Sequence, residues 1–399
     1  MIATSMPEAP LRAAVIGAGF AGRQHVEALR RLPGVEVAAI AASTDGRARG
    51  AAEELGIARW TADWTTLATD PAIDVVHVCV PNDLHLAVAA AALRAGRHVV
   101  AEKPLALDLA QGVQLAGLAR DAAGRSVLCH NYRFFPMVVE LGARIRAGDL
   151  GPIHAVRGAY LQDWLLLASD SNWRVDPAHG GESRVVADIG THWVDLAETV
   201  TERRLASVLA ELSTVHASRP APAGETSRRD RRTDEVWRAV GTEDQAALLL
   251  RFEGGLSGSV FLSQVAAGHK NGLEVSVDGA IASARWRQER PDELWVGHRD
   301  TANETVVRGA GLSPGAASLS RLPAGHGEGW ADGLRNLLGA AYAAFRGGEA
   351  SPVPLPTFAD GVRHLAFVAA ALESARRGGW VAVDEVLAAV ERPAREVSA

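Results

Sequence analysis

Between residues 11 and about 130 the chain alternates short apolar runs, rich in β-branched residues, with stretches of helical apolar spacing. The runs Leu11 to Ile16, Val35 to Ile40, Val75 to Val80, Arg97 to Ala101 and Ser126 to Cys129 are too uniformly apolar to present a solvated face. Between them, the residues Gly22 to Leu32, Gly46 to Leu55, Leu84 to Ala95 and Leu107 to Ala122 read as helices. Strict alternation at these lengths predicts parallel βαβ units covered on both faces.

From about His154 the pattern changes. One helical piece, Thr191 to Val200, sits among longer strand-like runs joined by turns. Ala246 to Phe252 and Leu256 to Leu262 flank Glu253-Gly254-Gly255, and Leu273 to Val277 and Ile281 to Trp286 flank Asp278-Gly279, both hairpin signatures. Phe358, Val362, Leu365, Val368, Ala369 and Leu372 then fall at helical spacing, and Gly378-Gly379 supplies the stop. Arg219 to Asp234, rich in Pro, Ser, Gly and charge, is expected to be a mobile excursion. The expected division is a flexible tail over 1–10, a first domain over 11–130 and a second over 131–390.

Composition narrows the functional classes. A chain of 399 residues, 48% hydrophobic and 22% charged, has ample core for two or three domains and excludes bulk disorder. Its 41 basic and 47 acidic residues give a net charge of −6, and only Arg228 to Arg232, interrupted by Asp230, is locally basic, so no nucleic-acid partner is expected. Cys79 and Cys129 lie in apolar runs and cannot frame a disulfide scaffold; buried thiols in a reducing compartment are expected. Met1 to Pro10 lacks the pattern of a signal peptide, and the longest apolar stretch, near Leu86 to Leu93, is far short of a span. These features predict a cytoplasmic protein without a membrane partner.

The chemistry begins at Gly17-Ala18-Gly19-Phe20-Ala21-Gly22, directly after the first strand and at the start of the first helix. In that context the first glycine makes the tight turn, the second admits a pyrophosphate to the backbone, and the third lets helix and strand pack closely. A carboxylate at the end of the second strand would mark strict NAD use. Ala42 and Ser43 stand there instead, with Asp45 two or three residues late and no arginine adjacent in sequence to Ser43, so NAD(H) and NADP(H) both stay open.

The fifth strand ends in Ala101-Glu102-Lys103-Pro104. Only Lys103 and Lys270 are lysines among the basic residues, so an otherwise arginine-using chain places at a strand's carboxyl end the one cation that can share a proton. In Asp188-Ile189-Gly190-Thr191-His192-Trp193-Val194-Asp195, a helix would put Asp188 and His192 on one face with Asp195 a turn further on. That suits a histidine general base oriented by a carboxylate; an N-cap beside a core histidine, or two ligands of a metal site, are the competing readings. No third ligand has convincing spacing, and no metal is expected.

Taken together, GAGFAGRQH (Gly17 to His25), CVPNDLH (Cys79 to His85), AEKPL (Ala101 to Leu105), NYRF (Asn131 to Phe134), NWR (Asn172 to Arg174), DIGTHWVD (Asp188 to Asp195) and FADG (Phe358 to Gly361) resemble the Gfo/Idh/MocA family, the glucose-fructose oxidoreductase and inositol dehydrogenase group. The resemblance spans nearly the whole chain. It implies an α/β fold: an N-terminal Rossmann dinucleotide-binding domain plus a C-terminal α+β domain with an open, mostly antiparallel sheet that commonly makes homodimers or homotetramers. It also implies hydride exchange between a nicotinamide and a secondary alcohol or ketone.

On matching positions the resemblance makes Lys103, Asp188 and His192 the catalytic group. His192 would take the hydroxyl proton, Lys103 hydrogen-bond the reacting oxygen, and Asp188 position both. The cofactor residues it implies are Gly17, Gly19, Phe20, Ala21 and Gly22; Ser43, Thr44 and Arg47; Pro81, Asn82 and His85; Glu102, Lys103 and Asn131; Trp173 and Arg174. Arg133, Tyr160, Trp164 and His326 join the catalytic group as expected substrate contacts; Trp164 suits stacking on a sugar face or a place in the core. Glu182 and Arg184 depart from the inositol dehydrogenase pattern and could favour another substrate group. Pro104 is expected to follow a cis peptide.

The expected substrate is a sugar, glycoside, anhydrosugar or cyclitol. Three functions share this residue set: a net dehydrogenase, a redox-neutral glycosidase or lyase that oxidises its substrate transiently, and a non-catalytic sensor of cofactor and sugar.

Overall fold

The computed structural model describes residues 9–221, 236–348 and 351–396. The tail over 1–8, most of the excursion expected at Arg219 to Asp234, and the basic run Arg228 to Arg232 lie outside the described residues. Among the described residues, β1 (Leu11–Ile16), β2 (Val35–Ala41), β3 (Arg59–Thr61), β4 (Val75–Val78), β5 (His98–Ala101) and β6 (Ser126–Leu128) form a parallel sheet in the order β3-β2-β1-β4-β5-β6. The order reverses between β1 and β4, and ligands bind at such a switch point, beyond the carboxyl ends of the strands.

The expected helices form within two residues of their sequence bounds. Thr44 caps the helix Asp45–Leu55 by accepting from the Arg47 amide, and Asp108 caps Leu109–Asp121 in the same way through Gln111. β3 and the short helix Trp64–Ala68 add to the expected pattern; at three and five residues they carry too little periodicity to register. β4 is shorter than the apolar run that predicts it. It stops at Val78, and Cys79 and Val80 already belong to the turn at the switch point.

The second sheet contains β7 (Ile153–Leu161), β8 (Leu205–Ser213), β11 (Gln245–Phe252), β12 (Ser257–Ser263), β13 (Gly272–Gly279), β14 (Ala282–Arg287), β15 (Glu293–His298), β16 (Glu304–Val307) and β17 (Val381–Ala382), while β9 (Ser218–Pro220) and β10 (Trp237–Ala239) pair separately. Both expected hairpins are present, with Gly254 and Gly255 at φ 70° and 81° in the first turn. Every pairing is antiparallel except β7 with β12. That parallel pair brings the ends of β7 and β12 to one edge, where β13 begins.

The helix Phe358–Arg377 forms at the expected place, opened by a Thr357–Asp360 capping box and closed by Gly378 at φ 65°. The helix Trp330–Phe345 is a further addition. Although remote in sequence from the first sheet, it packs on the helix Phe20–Arg30: Leu334, Leu337, Leu338 and Ala341 join Val26 and Leu29 in one core. Its N-terminal Trp330 meets Phe20 with ring centroids 5.7 Å apart.

Candidate active site

The glycine-rich turn is shaped for a ligand backbone. Gly17 has φ 111°, and a Cβ there would strike the Cys79 carbonyl; a Cβ on Gly22 would strike the Gly17 carbonyl. Gly19 is the N-cap of Phe20–Arg30 and brings no side chain to the first-turn amides. An uncapped helix start behind a strand is a ready anion site, so this cradle fits the pyrophosphate of a dinucleotide.

A crevice runs from that turn between the ends of β1, β4 and β5. Gly19, Phe20 and Ala21 line one part, Cys79 to Asn82 and His85 another, and Glu102, Lys103, Trp173 and Arg174 the rest. Ten of the residues expected to hold cofactor thus share one cavity. Asn82 also donates to the Gly180 carbonyl at 3.0 Å, and Asp83 meets His179 Nδ1 at 3.0 Å, so the β4 loop is tied to the segment carrying Trp173. The guanidinium of Arg174 lies 4.3 Å over the Trp173 ring.

His85 lines the crevice, yet both ring nitrogens are within hydrogen-bond reach of main-chain carbonyls, Pro104 at 2.8 Å and Val80 at 3.0 Å. Its contacts brace the loops after β4 and β5. The Lys103–Pro104 peptide is cis, as expected. Asn131 does not line this crevice: it is buried on the turn before Pro136–Ala147, with its main-chain carbonyl near Gly333. At the end of β2, Arg47 Nη1 donates to Ser43 Oγ at 3.2 Å. An arginine therefore does stand beside Ser43, supplied one helical turn later along the chain, which corrects the reading from adjacency in sequence.

Lys103 Nζ donates to Asp188 Oδ1 at 2.8 Å and to the Asp188 carbonyl at 2.9 Å. Asp188 Oδ2 accepts from Gln264 Nε2 at 2.8 Å, and Arg174 Nε stands 3.4 Å from Oδ1. Burial works to raise the Asp188 pKa, but Lys103 and Arg174 hold it well below the ordinary carboxylate range. His192 follows on the next turn. Burial, with Lys103 and His130 nearby, pushes its pKa well below the usual histidine value, so the ring is neutral and able to accept a proton.

The local backbone differs from a plain helix start. Val186–Gly190 is a π-helical turn that leads into the helix Thr191–Thr201, and Asp188 lies inside it. Glu243 anchors its approach: Oε1 accepts from Ser183 Oγ, the Arg184 amide and the Val186 amide at 2.6, 2.9 and 3.0 Å. Arg184 does not face substrate; it is fully buried against Asp244, which also binds Arg219. Glu182, by contrast, is exposed. Asp195, a turn beyond His192, points into the core rather than the crevice.

Two expected substrate residues are corrected. Arg133 is buried and bidentate on Asp195, donating from Nε to Oδ2 at 2.8 Å and from Nη2 to Oδ1, with Asp360 3.6 Å away. It holds helices together. His326 is exposed on a loop, where its main-chain carbonyl accepts from Arg308; no contact joins it to the catalytic group among the described residues.

Tyr160 and Trp164 do fall at the edge shared by β7, β12 and β13. Tyr160 Oη lies 2.9 Å from Tyr132 Oη and donates to Asn271 Oδ1 at 2.6 Å, while Trp164 Nε1 donates to Gln162 Oε1 at 2.9 Å. The Tyr132 ring meets the His192 ring edge-on, with centroids 4.9 Å apart. Sequence reasoning misses Tyr132, Gln264 and Asn271. Tyr132 stands inside the NYRF run and is within its reach; Gln264 and Asn271 are ordinary loop amides, brought here by the parallel β7–β12 and antiparallel β7–β13 pairings respectively.

A dinucleotide cradle joined to a lysine, a carboxylate and a neutral histidine defines a nicotinamide-linked oxidoreductase. Residues 11–129 match the model of the oxidoreductase family with NAD-binding Rossmann fold, and residues 138–285 that of the GFO/IDH/MocA C-terminal domain. The levoglucosan dehydrogenase of Pseudarthrobacter phenanthrenivorans is 30% identical over 95% of this chain and 99% of its own. A solved levoglucosan dehydrogenase in complex with NADH and levoglucosan superposes with a TM-score of 0.83 at 30% identity, covering 94% of this chain and 99% of that one. An inositol dehydrogenase homologue from Azotobacter vinelandii complexed with NAD+ gives 0.82 at 30% identity, covering 94% and 98%. The chain belongs to the Gfo/Idh/MocA oxidoreductase family, and it is an NAD(P)-dependent dehydrogenase whose homologues include named sugar and cyclitol dehydrogenases.

Proposed function

We propose that this dehydrogenase oxidises a secondary hydroxyl of a pyranose-like ring, in a free sugar, glycoside, anhydrosugar or cyclitol, with the reverse ketone reduction at the same site. The observation that carries the reading is Lys103 on the wall of the dinucleotide crevice, bonded to Asp188, with His192 on the helical turn that follows. A nicotinamide held in that crevice would supply the acceptor for the hydride leaving the carbinol carbon. The residues supply the rest. Neutral His192 takes the hydroxyl proton, Lys103 donates a hydrogen bond to the reacting oxygen, and Asp188 orients Lys103 through its carboxylate and main chain.

Tyr160, Asn271, Gln162 and Trp164 offer alternating hydroxyl, amide and aromatic groups, which suits a polyhydroxylated ring with one apolar face. At the adenosine end, Ser43, Thr44 and Arg47 with no carboxylate at Ala42 support acceptance of a 2′-phosphate, so NADP(H) is read as a competent cofactor alongside NAD(H). Among the described residues no helix is long and apolar enough to cross a membrane. The two cysteines are buried free thiols, which supports a reducing, cytoplasmic site of action. Leu249 on β11 and Phe261 on β12 are exposed on the face of the second sheet that lies away from the core, which supports a homodimer or homotetramer built through that sheet.

The test is absorbance at 340 nm with NAD+ or NADP+ and a panel of pyranoses, glycosides, anhydrosugars and inositols. A rise with one sugar class is expected. A flat trace throughout, with cofactor binding measured separately, would overturn net dehydrogenation and favour redox-neutral chemistry.

A further inference from the structure

Packed against His192 lie two more buried histidines and a buried ion pair that the proposed chemistry does not use. His130 meets His192 edge-on, with ring centroids 5.3 Å apart and planes at 89°. His130 Nε2 is 3.1 Å from His364 Nδ1, and His364 Nε2 is 3.6 Å from Asp195 Oδ1. Asp195 in turn is clamped by Arg133. Three nitrogens of this stack, His192 Nδ1, His130 Nδ1 and His364 Nε2, are sealed from solvent with no partner at hydrogen-bond distance among the described residues.

The proton positions follow from the surroundings. Burial keeps His130, His192 and His364 neutral, so each ring carries one proton. His364 Nε2 faces a carboxylate oxygen and holds its proton there; Nδ1 is then an acceptor and takes the Nε2–H of His130. That assignment leaves His130 Nδ1 with a free lone pair, in the ring packed against His192. A metal ion is a poor occupant of the His130, Asp195 and His364 group, because both Asp195 oxygens already accept from Arg133.

We infer that His130 and His364 form a positioning relay for His192, in which a small closure of the facing rings lets His192 Nδ1–H donate to His130 Nδ1, with His130 Nε2–H donating to His364 and His364 Nε2–H directed at Asp195. This rests on the reading of His192 as the base. When His192 takes the substrate proton on its other nitrogen, the relay presents an acceptor to the imidazolium and backs it with the Asp195 carboxylate. Only the substrate proton is transferred; the others stay on their nitrogens. The charged and titratable groups around the stack are Lys103, Asp188 and Glu102 near His192, Tyr132 and Tyr160 beside it, and Asp195, Glu198, Arg133 and Asp360 around His364.

Two measurements decide it. In the first, nitrogen-15 histidine spectra of the wild-type enzyme report tautomers: His130 is expected as the Nε2–H form and His192 as the Nδ1–H form. A Nδ1–H tautomer at His130 overturns the relay whatever the enzyme's substrate, so this result stands apart from any failure of the functional reading. In the second, His364→Phe is expected to lower kcat about tenfold or more while cofactor affinity holds. Its acid limb should move to lower pH, since His192 loses stabilisation of its protonated form. His364→Asn keeps an acceptor at the Nδ1 position and is expected within about threefold of wild type. Wild-type kcat and an unmoved acid limb in a folded His364→Phe enzyme would overturn the proposal.

Discussion

Lys103 grips Asp188 twice, through the carboxylate at 2.8 Å and the main-chain carbonyl at 2.9 Å, although 85 residues separate them. The double contact fixes the ammonium relative to the π-helical turn and therefore relative to His192. Lys103→Met is expected to cut kcat/KM for sugar oxidation by about 10²- to 10⁴-fold, the usual range for a removed proton-handling group. Lys103→Arg should not rescue it, because a guanidinium neither fits one ammonium position nor gives up a proton. Initial rates at 340 nm check both, with cofactor affinity expected to survive.

Much of this site is legible in the chain. The alternation up to Cys129 yields the first sheet, and Gly17 to Gly22, Glu102-Lys103 and Asp188 to His192 fall at strand ends or a helix start, where local pattern and chemistry coincide. What is illegible depends on long-range packing. Arg133 carries the same charge whether it meets a substrate or Asp195, and only the fold decides. In Trp330–Phe345 the apolar positions Leu334, Leu337, Leu338 and Ala341 do keep helical spacing; what the chain hides is their partner, the helix Phe20–Arg30 far away in sequence. The Ser43–Arg47 contact is hidden because the helix cap at Thr44, not adjacency in sequence, brings the arginine back.

That contact has a direct consequence for cofactor choice. Arg47→Ala is expected to lower kcat/KM with NADP+ by about tenfold while leaving NAD+ within about threefold, since one charge-assisted contact to a phosphate is lost. Ala42→Asp should act in the opposite sense by placing a carboxylate where the ribose 2′-hydroxyl is recognised. Parallel kinetics with both nucleotides measure the two shifts.

The glycine cradle is tested without turnover. In Gly22→Ala the new methyl meets the Gly17 carbonyl, main chain that cannot rotate aside. The turn must open, so NADH affinity should fall by about tenfold or more, the scale at which a displaced backbone forfeits one or two hydrogen bonds to a phosphate. Quenching of tryptophan fluorescence on titration with NADH reads the loss. Retained affinity would show that the turn does not carry the pyrophosphate.

Arg133 separates structure from substrate recognition. Arg133→Met leaves the Asp195 carboxylate buried without its bidentate partner, and breaking a buried pair from one side costs about 3–5 kcal/mol. A marked fall in Tm is expected. Arg133→Met combined with Asp195→Leu should recover part of that loss, because no charge is then stranded, and the substrate KM should stay near that of wild type. A KM raised tenfold in a stable double variant would return Arg133 to the substrate.

Glu102 links stability to pH from the crevice wall. Burial raises its pKa, but the hydrogen bond and charge of His25, then Lys103, outweigh this and bring it to about 2 from 4.5. His25 Nε2 lies 3.1 Å from Oε1, and behind it His77 and Tyr342 continue the chain, with His25 Nδ1 2.8 Å from His77 Nδ1 and His77 Nε2 2.9 Å from the Tyr342 hydroxyl. Burial holds His77 neutral, so its ring donates to one of these neighbours and accepts from the other. A depressed carboxylate pKa stabilises the fold above the unfolded value and loses that stabilisation as pH falls through the folded value. Glu102 should therefore add stability at neutral pH that is shed progressively from pH 4.5 toward 2. Glu102→Gln is expected to be less stable than wild type at pH 7 and to show a flatter decline below pH 4.5, as measured by urea midpoints from pH 7 to pH 3. Parallel curves for the two proteins across that range would mean the carboxylate is not held ionised by His25.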